Sequence, residues 1–460
     1  MFNDFPEQQA ICAFFLDFVL LPRNTDASRG HLEHLLPLYQ RSAHDSPLAL
    51  ATSSIALAIS GNPHTRDSDQ QLARTIFGRA LRKASAAIRD PVESLRDETL
   101  LAVLLLGLFE RLSAATGSNT GESSTDMTST HNAGAAALVK HRGRENCTSS
   151  LAIGLLFAVR SQLVEHAIEE GMAFKRCPDK MSAIFRNLPQ NSAARLTSVT
   201  INIADLRSCA QSALILPHSQ AAEQEVNDLI EYAISIDLLV AAWAESLPDS
   251  WRWQRATGFD MPMQQTPSLN VDNTAYQYLD KSDVYTDLWV LSVWNQYRSA
   301  RIRIQSIILS CIHYLGAAHE AQWYWRSIYA KMIAQEMADE LCASVPFALG
   351  TKVSGGPGER DAVEFPYVLQ GAAGKGKVGP EHTRAACAIG GWHLLGPLRT
   401  VALCEGEARM EGVLREGQGK WCEEQLERVG RVYGMTKADG KGEVKGEKMV
   451  ENPLYGEQFF

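Results

Sequence analysis

The chain has 460 residues, 45% of them hydrophobic and 21% charged, a balance that excludes a disordered or fibrous protein and calls for a buried core. A formal net charge of −9 excludes a chain that grips nucleic acid through bulk electrostatics, because phosphate binding needs a concentrated positive face. The nine cysteines contain no Cys-x-x-Cys pair, which excludes a local zinc motif and suits a reducing compartment.

The first apolar stretch, 10–21, is interrupted by Asp17 and follows Asp4 and Glu7, where a secretory signal would be basic. His31, Glu33 and His34 stand close enough for two imidazoles to share a helical face. No further ligand and no HExxH spacing accompany them, so they read as a polar helix turn rather than a metal site. Residues 46–61 predict a buried helix, apolar nearly all round, with Ser46 as its cap, Pro47 in its first turn and Gly61 and Pro63 at its end. Residues 69–88 predict an amphipathic helix, with Leu72, Ile76, Ala80, Ala84 and Ile88 on one face. Its Arg79, Arg82 and Lys83 read as a solvated face, since they form no long basic run. Asp90, Pro91 and Glu93 make an acidic capping box ahead of the apolar run 100–109, the expected central core helix. That run is about half the length a bilayer requires, so no membrane span is expected.

Residues 116–130 are rich in Ser, Thr and Gly and read as a flexible loop. Helical pattern resumes near His131, continues over 151–170 to a stop at Gly171, and returns over 221–246, 282–315 and 321–344. Residues 350–380 read as a Gly-rich loop. Within it, GAAGKGKVG at 371–379 imitates both a dinucleotide fingerprint and a P-loop. Val378 stands where Ser or Thr must hold magnesium, and no βαβ unit surrounds the stretch, so no cofactor is expected. A helical pair over 381–402 and 408–433 precedes a low-complexity tail at 436–460. Strand signals are scarce and no repeat recurs. The expected fold is therefore all-α, a large multi-helix array of buried and amphipathic helices without a repeat solenoid.

No Gly-x-Ser-x-Gly elbow occurs, and the paired carboxylates Asp97 with Glu98 and Glu169 with Glu170 fall at helix ends, where dipole and solvent hold them. No catalytic, cofactor-binding or metal-binding residue is assigned. One constellation stands out: Trp289, Trp294, Tyr297 and Arg298. Trp294 and Arg298 are four apart and share a helix face, where a guanidinium can lie against an indole. The group reads either as a core-anchoring contact or as the wall of a ligand pocket, with Asn295 placed to satisfy a buried backbone group.

The segments SPLALATSSIALAISG (46–61) and ARTIFGRALRKASAAIRDPVESLRDETLLAVLLLGLFE (73–110) resemble the opening helices of the fungal-specific transcription factor domain, the effector region of fungal zinc-cluster transcription factors. HNAGAAALVKHRG (131–143) is similar to that family's "H..GA..L...RG" block. Ile236, Asp237, Trp243, Leu247, Pro248 and Trp251 resemble its helix ending in a Trp and a Leu-Pro turn. DLWVLSVWNQYRSARI (287–302) resembles its "W....WN.YR..RI" signature, and ADELCASVPFALG (338–350) and GGWHLLGPL (390–398) its closing blocks. The resemblance implies one helical regulatory domain over 1–435 and a nuclear, non-enzymatic regulator of metabolic genes, including those of secondary metabolism. It further implies a protein partner or homodimer, no membrane, and a small apolar ligand. Family members usually carry a six-cysteine zinc cluster near the N-terminus, whereas here only Cys12 is near Met1. DNA contact is therefore expected indirectly or through a missing N-terminal module. The alternative is a small-molecule-binding protein or biosynthetic pathway enzyme on the same helical scaffold.

Overall fold

Short polar side chains set the helix starts. Ser46, Ser149, Asn191, Ser219 and Asp287 each accept the backbone N–H of the residue three positions on, satisfying a donor the helix itself leaves unpaired. In the computed structural model, residues 5–20, 30–60, 66–115, 124–143, 145–173, 190–255, 281–350, 352–353, 363–364, 380–405, 410 and 412–432 are described. The helices are α1 (Phe5–Phe18), α2 (Leu35–Arg41), α3 (Pro47–Ala58), α4 (Arg66–Arg89), α5 (Asp97–Ala115), α6 (Ser124–Arg142) and α7 (Ser150–Glu170). They continue with α8 (Ser192–Ala213), α9 (Gln220–Glu245), α10 (Leu288–Leu315), α11 (Glu320–Leu349), α12 (Pro380–Ala385), α13 (Gly391–Ala402) and α14 (Gln418–Val432). A single 3-10 turn, His31–His34, leads into α2, and a π turn, Ala386–Gly390, joins α12 to α13. Two antiparallel ladders, β1 (Gln254–Arg255) with β2 (Asp283–Val284) and β3 (Lys352–Val353) with β4 (Val363–Glu364), are the sheet content of the described residues. The fold is all-α, as the sequence predicts.

Two hubs organise the array. Helix α3 is buried from Leu48 to Leu57, including Thr52, Ser53 and Ser54, because α1, α4 and α5 cover it on three sides. Each fully buried Leu or Ile in such a helix contributes about 1.5–3 kcal/mol. Thr52 and Ser54 return their hydroxyls to the carbonyls of Leu48 and Ala51, so burying them leaves no donor unpaired. The second hub is α10, packed against α8, α9, α11 and α13. Helix α7 bridges the hubs through α5, α6 and α8, and stops at Gly171, whose φ of 65° no branched side chain adopts without strain.

Several boundaries differ from the sequence reading. Residues 124–130 of the expected loop belong to α6, since extending a helix already packed on α5 costs far less than nucleating one; 116–123 lie outside the described residues. Helix α10 starts at Leu288 rather than 282, because Asp283 and Val284 pair with β1. Helix α11 runs on past 344 to Leu349, through Pro346, where burial of Val345, Phe347, Ala348 and Leu349 outweighs the lost hydrogen bond. The helix expected over 408–433 begins only at Gln418, after Gly412 and Gly417 turn the chain at φ 72° and 74°. Helix α8 has no counterpart among the helices that the sequence pattern predicts. Finally, Ser150–Glu170 is long and apolar enough to cross a membrane by length and composition alone, contrary to expectation, but half of its apolar window is buried inside the protein as a core helix. Most of 350–380, with the GAAGKGKVG stretch, and the tail 436–460 lie outside the described residues.

Candidate functional site

Helix α10 carries the constellation singled out in the sequence, and its pitch divides it. Trp294, Tyr297 and Arg298 lie within one turn and a half, but Trp289 precedes Trp294 by five residues, which places it about 140° around the helix.

On the first side the polar groups are held by one another. Arg301 donates Nε and Nη2 to the two carboxylate oxygens of Asp237 on α9, at 2.9 and 3.0 Å, and Nη1 to the Tyr297 hydroxyl at 3.2 Å. Trp243 packs against both Trp294 and Tyr297, at centroid separations of 5.6 and 5.5 Å. The two indoles are pinned at their N–H ends: Trp243 Nε1 donates to the Ser192 carbonyl at 2.8 Å and Trp294 Nε1 to the Trp251 carbonyl at 2.7 Å. Arg298, without exposed side-chain surface, donates Nε to Glu340 at 3.1 Å and Nη1 to Tyr285 and Asn295 at 2.7 and 2.8 Å. Its guanidinium lies 5.7 Å from the Trp294 ring centre. Asn295 does not serve a backbone group; its Nδ2 donates to the Ser344 hydroxyl at 2.9 Å. Burial alone would lower the Arg298 guanidinium, but Tyr285, Glu340 and Asp283 outweigh it and hold its pKa above the ordinary value. Burial likewise raises the Tyr285 phenol, against the pull of Arg298. This knot ties α9, α10, α11 and the turn at Trp251 together, and its paired charges are spent on that task. Among these groups, Arg298 Nη2 is buried without a partner among the described residues.

On the other side, Trp289 faces a different set. Its ring meets His393 of α13 edge-on at 6.1 Å and lies so close to Gly30 that a Cβ there would come within 3.2 Å of it. Gly30 leads directly into the 3-10 turn carrying His31 and His34. His34 presses against α7 at Gly154, where a Cβ would sit 2.3 Å from its Nε2, so only glycine admits the imidazole there. His31 is within electrostatic reach of Arg111, His34 and His393, and Arg111, near the end of α5, is within reach of Glu165 and Glu169 on α7. Gln296 of α10 donates to Glu165 at 2.9 Å. Burial drives His31 down to about 3 and His393 to about 4, so both imidazoles are neutral near pH 7. Burial also raises Glu165 to about 7, reinforced by Glu169 and opposed by Arg111 and Arg303. Glu165 is nonetheless solvent-exposed, so water screens much of that effect. His31 Nε2, Arg111 Nε and Trp289 Nε1 are buried with no hydrogen-bond partner among the described residues.

His31 and His34, read in the sequence as an ordinary helix turn, thus sit in this second interior. Among the described residues no three His, Cys, Asp or Glu side chains converge as metal ligands. Arg79, Arg82 and Lys83 face solvent, with Lys83 paired to Asp45. Asp97 and Glu98 are bound to Arg142 and Arg41. Arg111, Glu165 and His393 went unnoticed in the sequence; the one available signal was a run of acids, Glu165, Glu169 and Glu170, ending an otherwise apolar helix.

Residues 13–160 match the fungal specific transcription factor domain. Transcription factor dbaG of Emericella nidulans is 23% identical over 344 residues, which span 75% of this chain and 74% of that protein. No solved structure matches.

Proposed function

We propose that the chain, whose residues 13–160 match the fungal specific transcription factor domain, regulates transcription of fungal metabolic genes from the nucleus, as a non-enzymatic effector that contacts a protein partner or a second copy and responds to a small ligand. The observation that carries this reading is the domain match together with a transcription factor relative aligned along three-quarters of the chain. The region beyond 160 supports treating 1–435 as one regulatory unit, because α7 and α10 join its helices to the matched ones through a continuous core. Deleting the gene tests the proposal: loss of transcripts from a defined set of genes is expected, with chromatin association of the tagged protein at those genes. An unchanged transcriptome sinks it.

A second reading, a small-molecule-binding protein on the same scaffold, draws on the unpartnered polar atoms around Trp289. Of the four residues proposed as a pocket wall, Trp294 and Tyr297 have their polar atoms engaged internally, whereas Trp289 Nε1 and Arg298 Nη2 have none. Saturable binding by the purified protein without any effect on transcription would favour this second reading over the first.

A further inference from the structure

A buried N–H without an acceptor is costly, more so when it belongs to a charged group. Proteins seldom leave one in place, and two such donors, Arg111 Nε and Trp289 Nε1, beside the unpartnered ring nitrogen His31 Nε2 call for an account. His31 Nε2, Arg111 Nε and Trp289 Nε1 come from the 3-10 turn, α5 and α10, and His393 of α13 closes the group from the far side. These elements are far apart in the chain, so local geometry does not force the three atoms together; the packing of the two hubs does.

Chemistry narrows what could satisfy them. Trp289 Nε1 and Arg111 Nε are donors in every protonation state open to them, so the missing partner is an acceptor. A guanidinium and an indole N–H acting together suit an oxygen pair carrying negative charge, because a carboxylate accepts from both and offsets the buried cation. The remaining walls are rings: the Trp289 indole and the neutral imidazoles of His31 and His393. Flat apolar surfaces of this kind favour a planar ligand body.

We propose that His31, Arg111, Trp289 and His393 form a binding site for a small aromatic carboxylic acid, whose carboxylate accepts from Arg111 Nε and Trp289 Nε1 while its ring lies among the indole and the imidazoles. The site rests on the regulator reading only for its consequence, ligand control of transcription; the binding itself stands apart from it. Occupation would link the 3-10 turn and α5 of the matched domain to α10 and α13.

The test uses the full chain with its nine tryptophans replaced by 5-fluorotryptophan, salicylate as probe, and fluorine NMR. The variant Trp289→Phe removes one resonance and so assigns it. Titration with salicylate to millimolar concentration is expected to move the Trp289 resonance saturably and leave that of Trp294, pinned to Trp251, in place. Arg111→Met is expected to weaken binding about tenfold or more, the scale of one charge-assisted hydrogen bond. If Arg111→Met fails to fold, calorimetry on Trp289→Phe replaces it, since that variant keeps an aromatic ring, loses the N–H, and should bind salicylate several-fold more weakly. A Trp289 resonance indifferent to salicylate would leave the group to water and overturn the proposal. So would equal affinity in the variants, or an equal response to benzamidine, which carries a cation in place of the carboxylate. None of these outcomes touches the transcript measurement, so the two readings fail separately.

Discussion

Helix α10 separates two polar interiors built from similar residues to opposite ends. Towards α9 and α11, Arg298 and Arg301 are buried with carboxylates, phenols and indoles that answer nearly every donor. Towards α5, α7 and α13, Arg111, His31 and Trp289 are partly buried, and their buried nitrogens Nε, Nε2 and Nε1 have no partner among the described residues. The contrast shows that burying an arginine says little about its role. What matters is whether its hydrogen bonds are complete: a completed network fixes one arrangement of helices, and an incomplete one holds free energy that a ligand can release.

Breaking the completed side should have the largest effect. Asp237→Ala leaves the Arg301 guanidinium buried without its bidentate partner, and a loss of about 3–5 kcal/mol is expected in urea unfolding. The double variant Asp237→Leu with Arg301→Met should regain most of that loss, because no buried charge remains. If it stays as unstable as the single variant, the pair is not what holds α9 to α10.

The same operation on the other side should do the reverse. Arg111→Met removes a desolvated cation whose Nε has no acceptor, so the stability of the ligand-free protein should change by less than about 1 kcal/mol or rise. A loss comparable to that of Asp237→Ala would mean the two interiors are alike and would end the comparison.

The smallest effect is the dependence of stability on pH, which sharpens the contrast because the shifted histidines and Glu165 all belong to the incomplete side. His31 and His393 fall from 6.5 to about 3 and about 4, so below 6.5 the unfolded chain binds more protons at these sites and stability rises with pH. Glu165 is raised from 4.5 to about 7, so between those values the folded chain holds the extra proton and stability falls with pH. Three lowered histidines, His34 among them, against one raised carboxyl leave a net rise with pH that flattens near pH 7. The groups that act on Glu165 are Glu169 on its own helix, Arg111 on α5, and Arg303 and Gln296 on α10. Urea midpoints measured across this range should show a steeper rise in Glu165→Gln and a flatter one in His393→Gln; unchanged profiles would place these groups in ordinary solvent.

Much of this was legible in local pattern. The cap at Ser46, the apolar run 100–109 and the stop at Gly171 are decided within a few residues by hydrogen-bond geometry and period, and so is the contact of Trp294 with Arg298, one turn apart. Helix α8 was not legible, because its buried face is built from Ser192, Ala194, Thr200, Ala204 and Asp205 beside its Leu and Ile, and small or polar residues leave no apolar period to read. The division of the tryptophan–arginine group into two sides follows from helical pitch once α10 is known to be continuous. The membership of the Trp289 side does not, since His31, Arg111, Glu165 and His393 sit on separate elements with nothing in their spacing to connect them.

The amino-acid sequence by itself determined that the chain is helical and where several helices start and stop, because those properties are set by neighbours along the chain. Tertiary structure alone decided which buried polar groups are answered and which are not. Desolvation and hydrogen-bond completion depend on atoms brought together from distant segments, and the packing of two hubs around α10 supplies them on one side of Trp289 and withholds them on the other.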